Sequence, residues 1–380
     1  MTVATRAEDI RSFIVMDVLE RAHALEKEGR DIIHLEIGEP DFDTPDCIRE
    51  AGIQAVKQGK THYTHSLGIP ELREAICHHY SEGYGVHIER DQILITSGTS
   101  PAMLLIFSAL LEQGDEIIVP NPYYPCYPNI IEYVGGKCIF VHTKEDDGFQ
   151  FQPQEVVEKI SPRTKAIIIN SPSNPSGTLL SPERMGELAR CKPHIISDEI
   201  YHGLVYEGKE HTILEYTDRA FVLNGFSKLY AMTGWRLGYV IAPREFIRPM
   251  QKLQQNFFIS ASSISQHAGI SALKEARPDV ERMRAIFDQR RQYMIKRLRE
   301  LGFGIRVDPV GAFYTLTKAK HLSHNSYKLA FEILEKAGVG VAPGIDFGSG
   351  AEGFLRFSYA NSLENITEGL RRIEEFLKNR

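Results

Sequence analysis

Between residues 90 and 240 the chain alternates short, wholly apolar runs with helical or loop segments. The runs are ILIT (93–96), EIIVP (116–120), KCIFV (137–141), KAIIIN (165–170), HIISD (194–198), FVLNG (221–225) and LGYVIA (237–242). Runs that are apolar throughout, instead of at every second position, predict strands of a sheet covered on both faces. Helical segments between them predict α/β architecture. Upstream, residues 11–29 have the spacing of an amphipathic helix, followed by a strand over 32–37 that ends at Gly38. From Arg244 to Leu301 the pattern is strongly helical. The tail mixes short strands (GFGIRV, GAFYTL, FLRFSY) with helices, including a charged one near 362–379. We therefore expect a large domain over 45–285. A smaller domain over 286–380 is expected to receive the N-terminal segment, 1–44.

Composition narrows the function classes. A chain of 380 residues is long enough for two domains, and its 42% hydrophobic and 25% charged residues are ordinary for a soluble globular protein. A net charge of -6, with no basic tail, argues against a nucleic-acid partner held by bulk charge. Five scattered cysteines without C-x-x-C spacing fit a reducing, cytoplasmic setting better than a disulfide framework. MTVATRAEDIRSF has charges where a signal peptide needs an apolar run. No apolar stretch approaches the ~20 residues of a membrane span. No metal site is expected.

The stretch GFSKLYAMTGWRLGY (225–239) sets Lys228 and Arg236 among glycines, aromatics and small residues. Burying either charge costs several kcal/mol unless something pairs with it. An anion site is suggested at ILITSGTSPAMLLIFSALL (93–111). There a strand runs through Ser97-Gly98-Thr99-Ser100 into a helix, with Ser100 as the expected N-cap and Pro101 in the first turn. A well-capped helix explains the same pattern. Asp198 ends an apolar strand, where open α/β sheets bind ligands, and Asn174 lies in NSPSNPSGT after another. Each is equally a loop residue when taken alone, as Tyr63 in THYTHSLGIPELREAI is an ordinary exposed tyrosine. Arg356 in GFLRFSYA alternates with Leu355 and Phe357, so it faces away from them, either solvated or forked onto a carboxylate.

Together, residues 225–238, Asn174-Pro175 and Asp198-x-x-Tyr201 resemble the class I/II aminotransferases, pyridoxal-phosphate enzymes of fold type I. The resemblance runs from IGEPDFDTP (37–45) to FLRFSYA (354–360). THYTHSLGIPELREAI, SKLYAMTGWRLGY and VAPGIDFG (341–348) are most similar to the bacterial and archaeal subgroup acting on aspartate, alanine, aromatic or methionine substrates. The resemblance implies a large domain with a mostly parallel seven-stranded sheet between helices, plus a smaller α+β domain.

It also implies roles. Lys228 forms the internal aldimine with pyridoxal 5'-phosphate and later moves the substrate α-proton. Asp198 pairs with the pyridinium nitrogen, while Tyr201 and Asn174 hydrogen-bond the ring's phenolic oxygen. Arg236 clamps the phosphate with Gly98, Thr99, Ser100 and Ser227, and Tyr124 stacks on the ring. Tyr63 reaches the phosphate from a neighbouring subunit, which implies a homodimer with shared active sites. Arg356 holds the substrate α-carboxylate, assisted by Asn174 and the Gly38 backbone. Where many relatives have Gly-Gly-Lys, this chain has Gly98-Thr99-Ser100, and no arginine is assigned to a distal carboxylate. A neutral substrate such as alanine, methionine or an aromatic amino acid is therefore expected, in ping-pong exchange with a 2-oxo acid, with glutamate as a plausible second donor. A β-lyase could use the same residues. A ligand-sensing module of a transcription regulator needs an added DNA-binding domain, and only about thirty-six residues precede the first motif.

Overall fold

The computed structural model describes residues 3–380. A two-residue strand, β1 (Ile33–His34), precedes seven strands of one sheet: β2 (Ile93–Thr96), β3 (Glu116–Asn121), β4 (Lys137–His142), β5 (Thr164–Asn170), β6 (His194–Asp198), β7 (Ala220–Gly225) and β8 (Gly238–Ile241). Four more follow: β9 (Tyr314–Lys318), β10 (Val339–Gly340), β11 (Ala342–Pro343) and β12 (Phe354–Ser358).

The seven strands lie in the order β2-β8-β7-β6-β5-β3-β4. β8 runs antiparallel to both neighbours, and every other pair is parallel. Successive side chains point to opposite faces, and both faces are covered. Ile167 and Ile169 of β5, Ile195 of β6 and Val222 of β7 join one core, with Leu72, Ile76, Ala268 and Ala272 from helices Pro70–Tyr84 and Ser263–Glu275. Ile168, Ile196, Phe221 and Leu223 join the other, with Leu105 and Ile106 of helix Thr99–Leu110 and Met250 of helix Arg244–Phe257. This two-sided burial is why the strands lack polar alternation.

A second body is built on the antiparallel sheet β11-β12-β9, flanked by a parallel pair in which β1 lies beside β10. Its core joins Ile33 and Leu35 to Phe313, Leu355, Phe357 and Ile373. The same core takes in Ile200, Tyr201 and Leu204, which follow β6. The end of the central strand is thus packed against the smaller body.

Two expected strands differ. Residues 32–37 form a ladder only at Ile33–His34, because Leu35 N still donates to Gly340 O while Leu35 O turns to Ser358 N. GFGIRV makes only an isolated bridge, Gly304 to Lys318, and the strand in GAFYTL begins at Tyr314. Positive φ angles at Gly302 (87°) and Ala312 (57°) break the extended path there.

Gly177 ties the two bodies together. Its carbonyl accepts from Val310 N and Gly311 N, each at 2.8 Å. Its φ is +69°, and a Cβ there would lie 2.5 Å from Pro309 Cβ and 2.7 Å from Tyr314 O. We expect Gly177→Ala to cost about 1–3 kcal/mol, seen as a lower urea midpoint; an unchanged midpoint would show that this junction yields to a side chain.

Candidate active site

A cavity of about 350 Å³ opens between the two bodies, beside the C-terminal ends of β5 and β6, where parallel sheets present their ligand sites. Asn170 and Asp198 are register partners at those ends. Asn170 Nδ2 donates to Asp198 O (2.9 Å), and its Oδ1 accepts from Asn174 N (2.7 Å), which fixes the loop carrying Asn174. The Asp198 carboxylate is buried. It accepts from Tyr127 Oη at 2.6 Å and from Ile200 N at 3.2 Å. Burial pushes its pKa up to about 6, with those two hydrogen bonds opposing the rise. A cation brought to this carboxylate would draw the value back down.

Lys228 lies in the loop after β7, and its Nζ donates to Gly38 O at 2.6 Å. Its pKa is lowered to about 8, first by burial and then by Arg356 and Arg236, while Glu39 acts in the opposite sense. Desolvation, more than a neighbouring arginine, therefore makes this amine available.

Arg236 returns from the same loop with φ +53° and donates from Nη1 to Thr233 O at 2.9 Å. Its Nη2 lies 2.6 Å from where a Cβ on Gly98 would sit, and the Gly98 φ of +104° is itself a conformation that favours glycine. The helix begins at Thr99, two residues before the expected start, with Gly98 at the cap position. Ser100 is thus inside the first turn and is not the cap, and no side chain caps this helix among the described residues. Its first N–H groups remain free for an anion beside Arg236.

Arg356 is 2% exposed, so the solvated alternative is wrong. It forks onto no carboxylate either. Nη1 donates to Asn174 Oδ1 at 3.0 Å and Nη2 to the Glu36 carbonyl, with the Tyr314 ring 4.2 Å from the guanidinium carbon. Its Nε has no partner among the described residues. The group is held ready for an anion, with its orientation already fixed.

Gly38, Thr99, Ser100, Tyr124, Asn174 and Asp198 line the cavity, as do Tyr201, Ser227, Lys228, Arg236 and Arg356. Gly98 stands directly behind Arg236. Tyr63 does not line the cavity: it is 81% exposed on the surface, and its expected role needs a second copy. No pattern in the sequence marks Tyr127, Asn170 or Tyr314, whose hydroxyl lies 2.9 Å from that of Tyr201. Helix Ile14–Lys27 supplies an apolar wall through Val15, Met16 and Leu19, with Phe13 just before it.

The family model described as aminotransferase class I and II matches residues 30–373. A (5-formylfuran-3-yl)methyl phosphate transaminase of Methanocaldococcus jannaschii is 45% identical over 379 residues, covering 99% of each chain. Among solved structures, a Methanococcus jannaschii protein described as similar in its active site to kynurenine aminotransferases matches with a TM-score of 0.93 and 44% identity, covering 99% of this chain and 100% of that one. Aspartate aminotransferase of Thermus thermophilus, solved with maleate, matches with a TM-score of 0.95 and 36% identity over 99% of both chains.

Only the neutral amine of Lys228 is nucleophilic, and its fraction grows as pH rises towards about 8. Attachment of pyridoxal phosphate to cofactor-free protein is therefore expected to quicken by roughly tenfold per pH unit below that value and to level off above it. Stopped-flow visible absorbance measures this, and a flat profile between pH 6 and pH 9 (on the order of the window set by these pKa values) would refute it.

Proposed function

The chain belongs to the class I and II aminotransferases, which use pyridoxal phosphate, and from that premise we propose that it takes the amino group of a neutral L-amino acid and passes it to a 2-oxo acid. The observation carrying the substrate class is the charge of the cavity. Among the described residues, the cations lining it are Lys228, Arg236 and Arg356. Lys228 and Arg236 belong to the cofactor's end and Arg356 to the α-carboxylate, which leaves none for a side-chain acid. Glu39 adds a negative charge to the lining, and Phe13, Val15, Met16 and Leu19 supply apolar surface. Methionine and aromatic side chains suit such a wall best, alanine less well. Glutamate and 2-oxoglutarate remain the plausible second pair.

The residues fit the cofactor. The uncapped first turn at Thr99 and Ser100, with Arg236 against Gly98, makes a cradle for a phosphate. Buried Asp198 would pair with the ring nitrogen and keep it protonated. Asn174 and Tyr201 would hold the ring oxygen, Tyr124 the ring face, and Ser227 a phosphate oxygen. When bound, the cofactor supplies an electron sink for the bonds of the substrate α-carbon.

The chain's own groups do the rest. Arg356 binds the substrate carboxylate through its unpartnered Nε edge and so sets the direction of the α-carbon. Asn174 fixes that guanidinium from the other side. Lys228 Nζ, kept from full charge by burial, accepts the proton from the α-carbon. The apolar wall excludes water while this charge moves. Exposed Tyr63 supports a homodimer in which Tyr63 of the partner subunit reaches the phosphate cradle.

Mixing the cofactor-loaded enzyme with single amino acids tests the reading. Visible absorbance is expected to fall faster with methionine, phenylalanine or tyrosine than with aspartate or glutamate. Aspartate as the fastest donor would overturn the neutral-substrate assignment, and release of ammonia without transfer would favour a β-lyase. Arg356→Lys loses the planar fork, so KM for the amino donor is expected to rise by about tenfold or more with kcat less affected; an unchanged KM would move the carboxylate site elsewhere.

A further inference from the structure

Away from the cavity, the last turns of helix Ile14–Lys27 stand against β1. His23 and Glu26 are one turn apart on the helix, and His34 is on the strand. The ligand atoms of the three all lie within 4.8 Å of one another. His34 Nε2 and Glu26 Oε1 are 3.1 Å apart. Two ligands at zinc's usual bond lengths, tetrahedrally disposed, are about 3.3 Å apart, so this pair already has the required spacing. The His23 ring is 5.8 Å from that of His34, centroid to centroid. His23 is exposed on the helix surface beside them.

Behind His34 lies a further carboxylate. Its Nδ1 is 2.7 Å from Glu36 Oε1. Glu36 is fully buried, and its Oε2 has no hydrogen-bond partner among the described residues. A metal-ligating imidazole usually donates its other N–H to such a carboxylate, which fixes the tautomer and leaves the second nitrogen for the ion. Glu36 holds His34 in that way, with Nε2 turned to the helix.

We propose that His23, Glu26 and His34 form a binding site for a divalent transition-metal ion such as zinc, with solvent at the fourth position. Two imidazoles and one carboxylate are a donor set suited to zinc. Occupancy joins the helix whose first half walls the cavity to the segment that leads from β1 to Gly38. H-x-x-E and the distant histidine carry no recognisable metal spacing, so the site exists only once β1 pairs with β10.

The cofactor-loaded enzyme, stripped with a chelator and dialysed, is titrated with Zn2+ by calorimetry and with Co2+ by visible absorption. We expect saturable binding of one ion per chain, a tetrahedral Co2+ spectrum, and a thermal midpoint that rises with Zn2+. His23→Ala and Glu26→Gln, both changes of exposed side chains, should each weaken binding by roughly tenfold or more and remove the thermal shift. Absence of saturable binding means that His34 makes an ion pair only, and equal affinity in wild type and both variants places the ion elsewhere; either result overturns the proposal.

Discussion

Arg356 carries a positive charge into a place where no carboxylate of the described residues forks onto it. Its hydrogen bonds go to a side-chain amide and a backbone carbonyl, and aromatic rings cover its faces. An unpaired buried charge costs several kcal/mol, and the surroundings offset only part of that. Three distant stretches meet to hold it: Glu36 from the N-terminal segment, Asn174 from the loop after β5, and β12 itself. The two bodies therefore converge on one buried cation that lines the cavity between them, with Asp346 in its electrostatic neighbourhood.

The strands were legible because burial on both faces removes the polar alternation that otherwise blurs such runs. Asp198, Asn174, Lys228 and Arg236 all line the cavity, yet taken alone Asp198 and Asn174 read as loop residues, and only the resemblance to a family drew the four together. Partnerships across the fold leave no trace in sequence. Tyr127 reaches Asp198 from 71 positions away, and nothing in PNPYYPCYP separates it from Tyr124. Arg356 shows the limit of alternation as a guide. Its side chain does oppose those of Leu355 and Phe357, yet that other face is closed by Tyr314 and Phe347. The anticipated Ser100 cap failed because Gly98, which has no side chain to offer, already occupies the cap position.

The apolar wall depends on a different carboxylate. Asp346 accepts from Ile14 N at 2.9 Å and from Val15 N at 3.1 Å, at the start of helix Ile14–Lys27. A negative group there satisfies orphan donors and complements the helix dipole. Burial raises its pKa to about 6, with those N–H groups foremost and then Arg356 acting against the rise. The wall and Arg356 thus share one electrostatic neighbourhood.

β7 and β8 close the loop that bears Lys228 and Arg236. Gly225 pairs with Gly238 across its base, and Phe226 N donates to Leu237 O. Lys228 and Arg236 are consequently carried by one loop anchored in the sheet. Helix Ile14–Lys27 is joined to the rest by side-chain packing, by the two bonds to Asp346, and by contacts of Arg21 with Glu335 and of Glu26 with His34. Drift in sequence can recast that helix without disturbing the reactive loop. Such a division lets one chemical apparatus be turned to new amino acids over evolutionary time.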